Sequence, residues 1–69
     1  MAHPELSNRL KVLRAEREWT QAELAERVGV SRKTINTIER GVFVPSTLLG
    51  LRLARVFGVT VEDVFGLVD

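Results

Sequence analysis

The chain has 69 residues, a formal net charge of +1 and no cysteine. Being about half the commonest domain size, it has no room for a two-domain enzyme with a cofactor crevice, and it can hold neither a disulfide framework nor a thiolate zinc site. With 45% hydrophobic and 28% charged residues it reads as one soluble domain held by apolar packing, in which any nucleic-acid binding depends on where the charges sit.

The opening Met1-Ala2-His3-Pro4 is polar. It carries no signal-peptide core, and nothing downstream approaches the ~20 apolar residues a bilayer span needs. The expectation is a cytoplasmic protein with no membrane partner, one domain over residues 1–69 whose residues 1–4 fray. Between the glycines and prolines the apolar residues recur every three to four positions. That spacing predicts five helices at about 5–17, 21–28, 32–40, 47–57 and 61–65, an all-α fold.

On the first helix Leu6, Leu10 and Leu13 form the apolar stripe, and Arg14 falls on the same side. A cation there is partly buried and needs a partner. The second helix starts with the capping box Thr20-Gln21-Ala22-Glu23, with Trp19 and Leu24 at the staple positions. Ser31 caps the third helix, with Val30 and Ile35 as its staple.

The third helix separates two faces. Around its axis Arg32, Asn36, Arg40, Lys33 and Thr37 fall at about 0, 40, 80, 100 and 140°, while Thr34, Ile38 and Ile35 fall at about 200, 240 and 300°. From Arg27 to Ile38 there are three cations and no acid. The helix dipole disfavours cations at a helix start, so Arg32 and Lys33 cost a few tenths of a kcal/mol in the free protein. An anion-rich groove with base edges matches such a face. Arg and Lys reach guanine O6 and N7, Asn bridges adenine, and the Thr methyl touches thymine. Glu39, the one acid of this helix, sits beside that face at about 340°.

Val42-Phe43-Val44, between Gly41 and Pro45, reads as a packed loop rather than a strand. Pro45-Ser46 starts the fourth helix, whose apolar arc is far wider than the ~100° that one buried side requires. Two readings follow. Either one small core wraps most of this helix, or a second surface is buried between two copies through Leu48, Leu49, Leu51, Val56, Phe65 and Leu67. Gly50 inside the helix suggests close approach of a neighbour. Thr60-Val61-Glu62-Asp63 caps the fifth helix.

The run Trp19-Thr20-Gln21-Ala22-Glu23-Leu24-Ala25-Glu26-Arg27-Val28-Gly29-Val30-Ser31-Arg32-Lys33-Thr34-Ile35-Asn36-Thr37-Ile38-Glu39-Arg40-Gly41 resembles the helix-turn-helix of the phage-repressor/Cro-type (Xre-like) regulators. The similarity continues through Pro45-Ser46, Leu53 to Val59 and Val61 to Phe65. It implies a compact five-helix lambda-repressor-like DNA-binding domain, with the helix-turn-helix at about residues 21–40. It further implies that Arg32, Lys33, Asn36 and Thr37 enter the major groove, and that Gln21, Ser31 and Arg40 contact phosphates. Arg40 is equally suited to neutralising the end of its helix. The resemblance also pairs Arg14 with Glu39 as a structural salt bridge.

The expected partner is double-stranded DNA carrying a palindromic operator, read by a homodimer with recognition helices ~34 Å apart. The alternative is a helical interaction module, such as an antitoxin-like protein that binds another protein. An enzyme is not expected. The one histidine, His3, lies at the chain start, and no phosphate loop, carboxylate pair or metal cluster is visible. No cofactor, metal or small-molecule effector is implied.

Overall fold

The computed structural model describes residues 5–68. In chain order these form β1 (Leu6–Asn8), α1 (Leu10–Glu16), α2 (Gln21–Val28), α3 (Arg32–Glu39), α4 (Thr47–Phe57), α5 (Val61–Val64) and β2 (Phe65–Leu67). The expected frayed segment, residues 1–4, lies outside the described residues.

Four of the helices start on a hydroxyl. Thr20 accepts the Glu23 N–H at 3.0 Å while the Glu23 carboxylate accepts the Thr20 N–H at 3.0 Å. Thr60 and Asp63 repeat this reciprocal box on α5, at 3.2 and 3.0 Å. Ser31 and Ser46 accept the N–H groups of Thr34 and Leu49, each at 3.2 Å. Each such cap is typically worth ~1 kcal/mol. The backbone N–H groups of Thr20 and Thr60, followed by their hydroxyls, hold the Glu23 and Asp63 carboxyls below their ordinary values.

The helix ends share one device as well. At the ends of α1 to α4 one residue (Glu18, Gly29, Gly41 and Gly58 in turn) donates three residues back, and the next donates five residues back. This Schellman arrangement needs a left-handed residue. Gly29, Gly41 and Gly58 supply it at φ 76, 74 and 70°, but after α1 the position falls to Glu18, at φ 57°.

The first helix departs from expectation. It begins at Leu10, and residues 6–8 instead pair antiparallel with β2 in the register Leu6–Leu67, Ser7–Gly66 and Asn8–Phe65. Asn8 explains the change. Its Oδ1 accepts the Leu10 N–H at 3.2 Å, and its Nδ2 donates to the Ile38 carbonyl at 2.9 Å, so it starts α1 and ties it to the end of α3. The Arg9 N–H donates to the Val64 carbonyl at 2.8 Å. Leu6 is therefore half-buried on the ribbon rather than part of a helical stripe, and α5 stops at Val64 rather than at residue 65.

The core is built from Leu10 and Leu13 of α1, Leu24, Ala25 and Val28 of α2, Ile35 and Ile38 of α3, Leu49, Leu53, Ala54 and Phe57 of α4, and Val64. Leu49 thus belongs to this core and is not free to meet another copy. A Cβ added at Gly50 would lie 3.9 Å from the Phe65 side chain, an ordinary contact, so nothing within the chain requires glycine there. The 42–44 loop forms no strand, yet Phe43 and Val44 point outward, so it is not packed as expected. Its backbone is held instead by the Val42 and Phe43 N–H groups, which both donate to the Thr37 carbonyl.

Candidate nucleic-acid interface

The α2–α3 unit carries the expected residues. Leu24, Ala25 and Val28 of α2 pack with Ile35 and Ile38 of α3, which fixes the angle between the helices and turns the polar side of α3 outward. Gln21, Arg32, Lys33 and Asn36 then line one open groove, so the first turn of α2 and the outer face of α3 meet at a single surface. Arg32 and Lys33 are exposed and, among the described residues, form no ion pair. Their free cationic ends lie at the N-terminus of α3, where the dipole offers them nothing. An external anion would compensate both.

The remaining predicted contacts lie outside the groove lining. Ser31 is exposed, and its hydroxyl is used in the cap and in a 3.0 Å contact with the Thr34 hydroxyl. Thr37 donates its hydroxyl hydrogen back to the Thr34 carbonyl at 2.9 Å, so its oxygen is left only to accept. Arg40 is exposed at the C-terminal cap of α3, consistent with either reading of its charge.

Behind the groove stands a hydrogen-bonded ion pair. Arg14 Nε donates to Glu39 Oε2 at 2.9 Å and Nη2 to Oε1 at 3.2 Å, a two-point fork. Its Nη1 donates to the Trp19 carbonyl at 2.9 Å. Only 6% of the Glu39 side chain is exposed. The bond to Glu39 raises the Arg14 pKa above its ordinary value, with burial opposing it. The same carboxylate accepts Gln21 Nε2 at 3.1 Å, and Gln21 Oε1 in turn faces Asn36 Nδ2 at 3.5 Å. The sequence resemblance pairs Arg14 with Glu39 and marks Gln21 and Asn36 as DNA contacts, but it does not reveal that the four form one chain. The placement of Gln21 and Asn36 in the same amphipathic unit was the only available signal.

A clasp on the far side of α2 was also missed. Trp19 stacks on Phe57 with centroids 5.5 Å apart, and the Arg27 guanidinium lies 4.1 Å over the Trp19 ring. Arg17 donates to the Phe57 carbonyl, so the α1–α2 turn is fastened to the end of α4.

The helix-turn-helix family model HTH_3 matches residues 10–64. The chain belongs to the helix-turn-helix family. Among its relatives is an uncharacterized HTH-type transcriptional regulator of Methanocaldococcus jannaschii, 47% identical over 60 residues that span 87% of this chain and 91% of that protein. It is also 34% identical, over 61 residues, to the immunity repressor of Bacillus phage phi105, matching 88% of this chain and 42% of the repressor. Among solved structures, the biofilm master regulator SinR in complex with DNA aligns with a TM-score of 0.71 and 31% identity, covering 77% of this chain and 86% of SinR. Family and fold are those of transcriptional regulators, not of enzymes. Among the described residues no helix is long and apolar enough to cross a membrane.

Proposed function

We propose that this chain is a cytoplasmic, sequence-specific DNA-binding transcriptional regulator whose α3 enters the major groove of an operator. The observation that carries the reading is the groove lined by Gln21, Arg32, Lys33 and Asn36, with two cations at a helix start that form no ion pair among the described residues. Arg32 and Lys33 serve base edges and the flanking phosphates, while Asn36 and the Thr37 methyl meet bases. Gln21, Ser31 and Arg40 serve the backbone. The names of the M. jannaschii regulator and the phage repressor, together with the DNA complex of SinR, support this reading. The bound protein acts sterically, by occupying its site, as the phage immunity repressor among its relatives suggests.

A homodimer on a palindromic site completes the proposal. Leu48, Leu51 and Leu67 are 59, 54 and 82% exposed, which suits an apolar contact between copies, to which the half-buried Val56 and Phe65 would add.

The test is selection from random duplexes. A recovered motif with two half-sites centred one helical turn apart is expected. For a dimer neutralising about eight phosphates, log K should fall against log [salt] with a slope near −7. Absence of salt-sensitive binding to any duplex would sink the DNA reading. A protein that sediments as a monomer, both free and on DNA, would sink the dimer.

A further inference from the structure

We infer that Glu39, which does not reach the outer surface of the groove, is a positioning residue that sets the base preference of Asn36 through Gln21. The inference rests on the DNA-binding reading above and adds to it the source of specificity at one base pair.

The argument is one of donor and acceptor polarity. A carboxylate salt-bridged to Arg14 can only accept hydrogen bonds, so the Gln21 amide must turn its NH2 group towards it. The other end of that amide, Oε1, is then the atom that faces Asn36, 3.5 Å from its Nδ2. It can only accept, so Asn36 must answer with its own NH2, as the Nδ2 to Oε1 contact shows. Asn36 has two amide hydrogens and one carbonyl oxygen. With one hydrogen directed at Gln21, one N–H and Oδ1 remain to meet a base. That pair is complementary to adenine, whose N7 accepts and whose N6 donates in the major groove.

Reversing the Gln21 amide would reverse the outcome. Gln21 would then donate to Asn36 Oδ1 and turn the Asn36 NH2 outward, towards the acceptors of guanine or thymine. Glu39 forbids that reversal, and Arg14 holds Glu39 in place by its two-point fork. The residue that selects the base is thus separated from it by two side chains.

The experiment compares operators selected from random duplexes by the full chain and by Asn36→Ala, Glu39→Gln and Gln21→Met, with folding checked by circular dichroism. Asn36→Ala identifies the base pair that Asn36 reads. The wild-type chain should prefer adenine there, by about tenfold or more over other bases. Glu39→Gln, whose amide can donate as well as accept, should reduce that preference to within about threefold. Preference at pairs identified with Arg32→Ala should stay within about twofold of wild type. Gln21→Met, which keeps Arg14 and Glu39 paired, should relax the same pair and decides the matter if Glu39→Gln does not fold. Its uniform loss of affinity from a missing phosphate contact is separable, because the readout is a ratio between bases.

The assignment is overturned if the pair mapped to Asn36 is not adenine-selective, or if Gln21→Met or folded Glu39→Gln keeps the wild-type preference there. Equal loss of preference at every position also overturns it, since that signals a loosened fold. Failure of the wild-type chain to select any duplex is a different result, which removes the DNA-binding reading itself.

Discussion

Replacing Arg14 by methionine tests whether the buried pair is held as tightly as its geometry implies. The substitution keeps the aliphatic stem but removes three hydrogen bonds, two to Glu39 and one to the Trp19 carbonyl. Glu39, 6% exposed, would keep only the Gln21 amide as partner. Breaking a buried pair from one side typically costs ~3–5 kcal/mol. Cores of this size rarely supply more than about 3–5 kcal/mol of net stability, so the single variant should sit near or below its unfolding midpoint in buffer. The double variant Arg14→Met, Glu39→Leu removes the stranded charge as well. It should recover most of the loss, with ~1 kcal/mol still missing for the unpaired Trp19 carbonyl. Urea titration followed by Trp19 fluorescence and circular dichroism measures both. At a slope of about 1 kcal/mol per molar, the single variant's midpoint should fall by about 3 M or disappear, whereas the double variant's should return. A single variant within ~1 kcal/mol of wild type, or a double variant no more stable than the single, would refute the reasoning.

Glu18→Gly should raise stability by ~1 kcal/mol, or about 4–8 °C in Tm, because a left-handed φ of 57° burdens a side chain but not glycine; an unchanged Tm counts against it. Gly50→Ala should add ~0.5–1 kcal/mol by thermal melting, since its methyl meets only an ordinary contact with Phe65; a loss instead would show that the site has no such room. Arg27→Gln should cost ~0.5–1 kcal/mol in urea through loss of the cation over Trp19. Acid should weaken the starts of α2 and α5. The Glu23 and Asp63 carboxyls are lowered in the folded chain, so the unfolded chain binds more protons. Their contribution is complete above the ordinary carboxylate range, about pH 4, and is lost as pH falls through the folded values. Urea midpoints taken down to about pH 3 should therefore fall less for Glu23→Gln, Asp63→Asn than for wild type.

Local chemistry was the legible part of this fold. Thr20, Ser31, Ser46 and Thr60 start their helices within three residues of themselves, so short windows of sequence contain the whole interaction. The amphipathic wheel of α3 likewise needs only its own residues to assign Ile35 and Ile38 inward and Arg32 and Lys33 outward. The terminal ribbon was not legible, because Leu6 to Asn8 acquire a strand partner only from residues 65–67. The wide apolar arc of α4 could not reveal which leucines the core would claim. Leu49 turned inward while Leu48 and Leu51 stayed out, as the packing of α4 against α2 and α5 decided. The Glu39–Gln21–Asn36 chain required the side-chain directions of two helices, which spacing along one helix does not contain. The turn at Glu18 was hidden because no glycine marks it.

The terminal ribbon also governs the order in which the molecule can be completed. Ser7 and Gly66 are 59 residues apart, and closing such a loop costs about 3–4 kcal/mol from length alone. The pairing of α2 with α3 spans a short stretch, so its closure costs far less than that of the ribbon. β1 must wait for β2, so the start of α1 is fastened at the Arg9 N–H only after Val64 and the closing strand have been made. A chain cut before residue 65 would keep the residues of the α2–α3 pair but lose the strand that holds β1, so the start of α1 would lean on Asn8 and its bond to the Ile38 carbonyl.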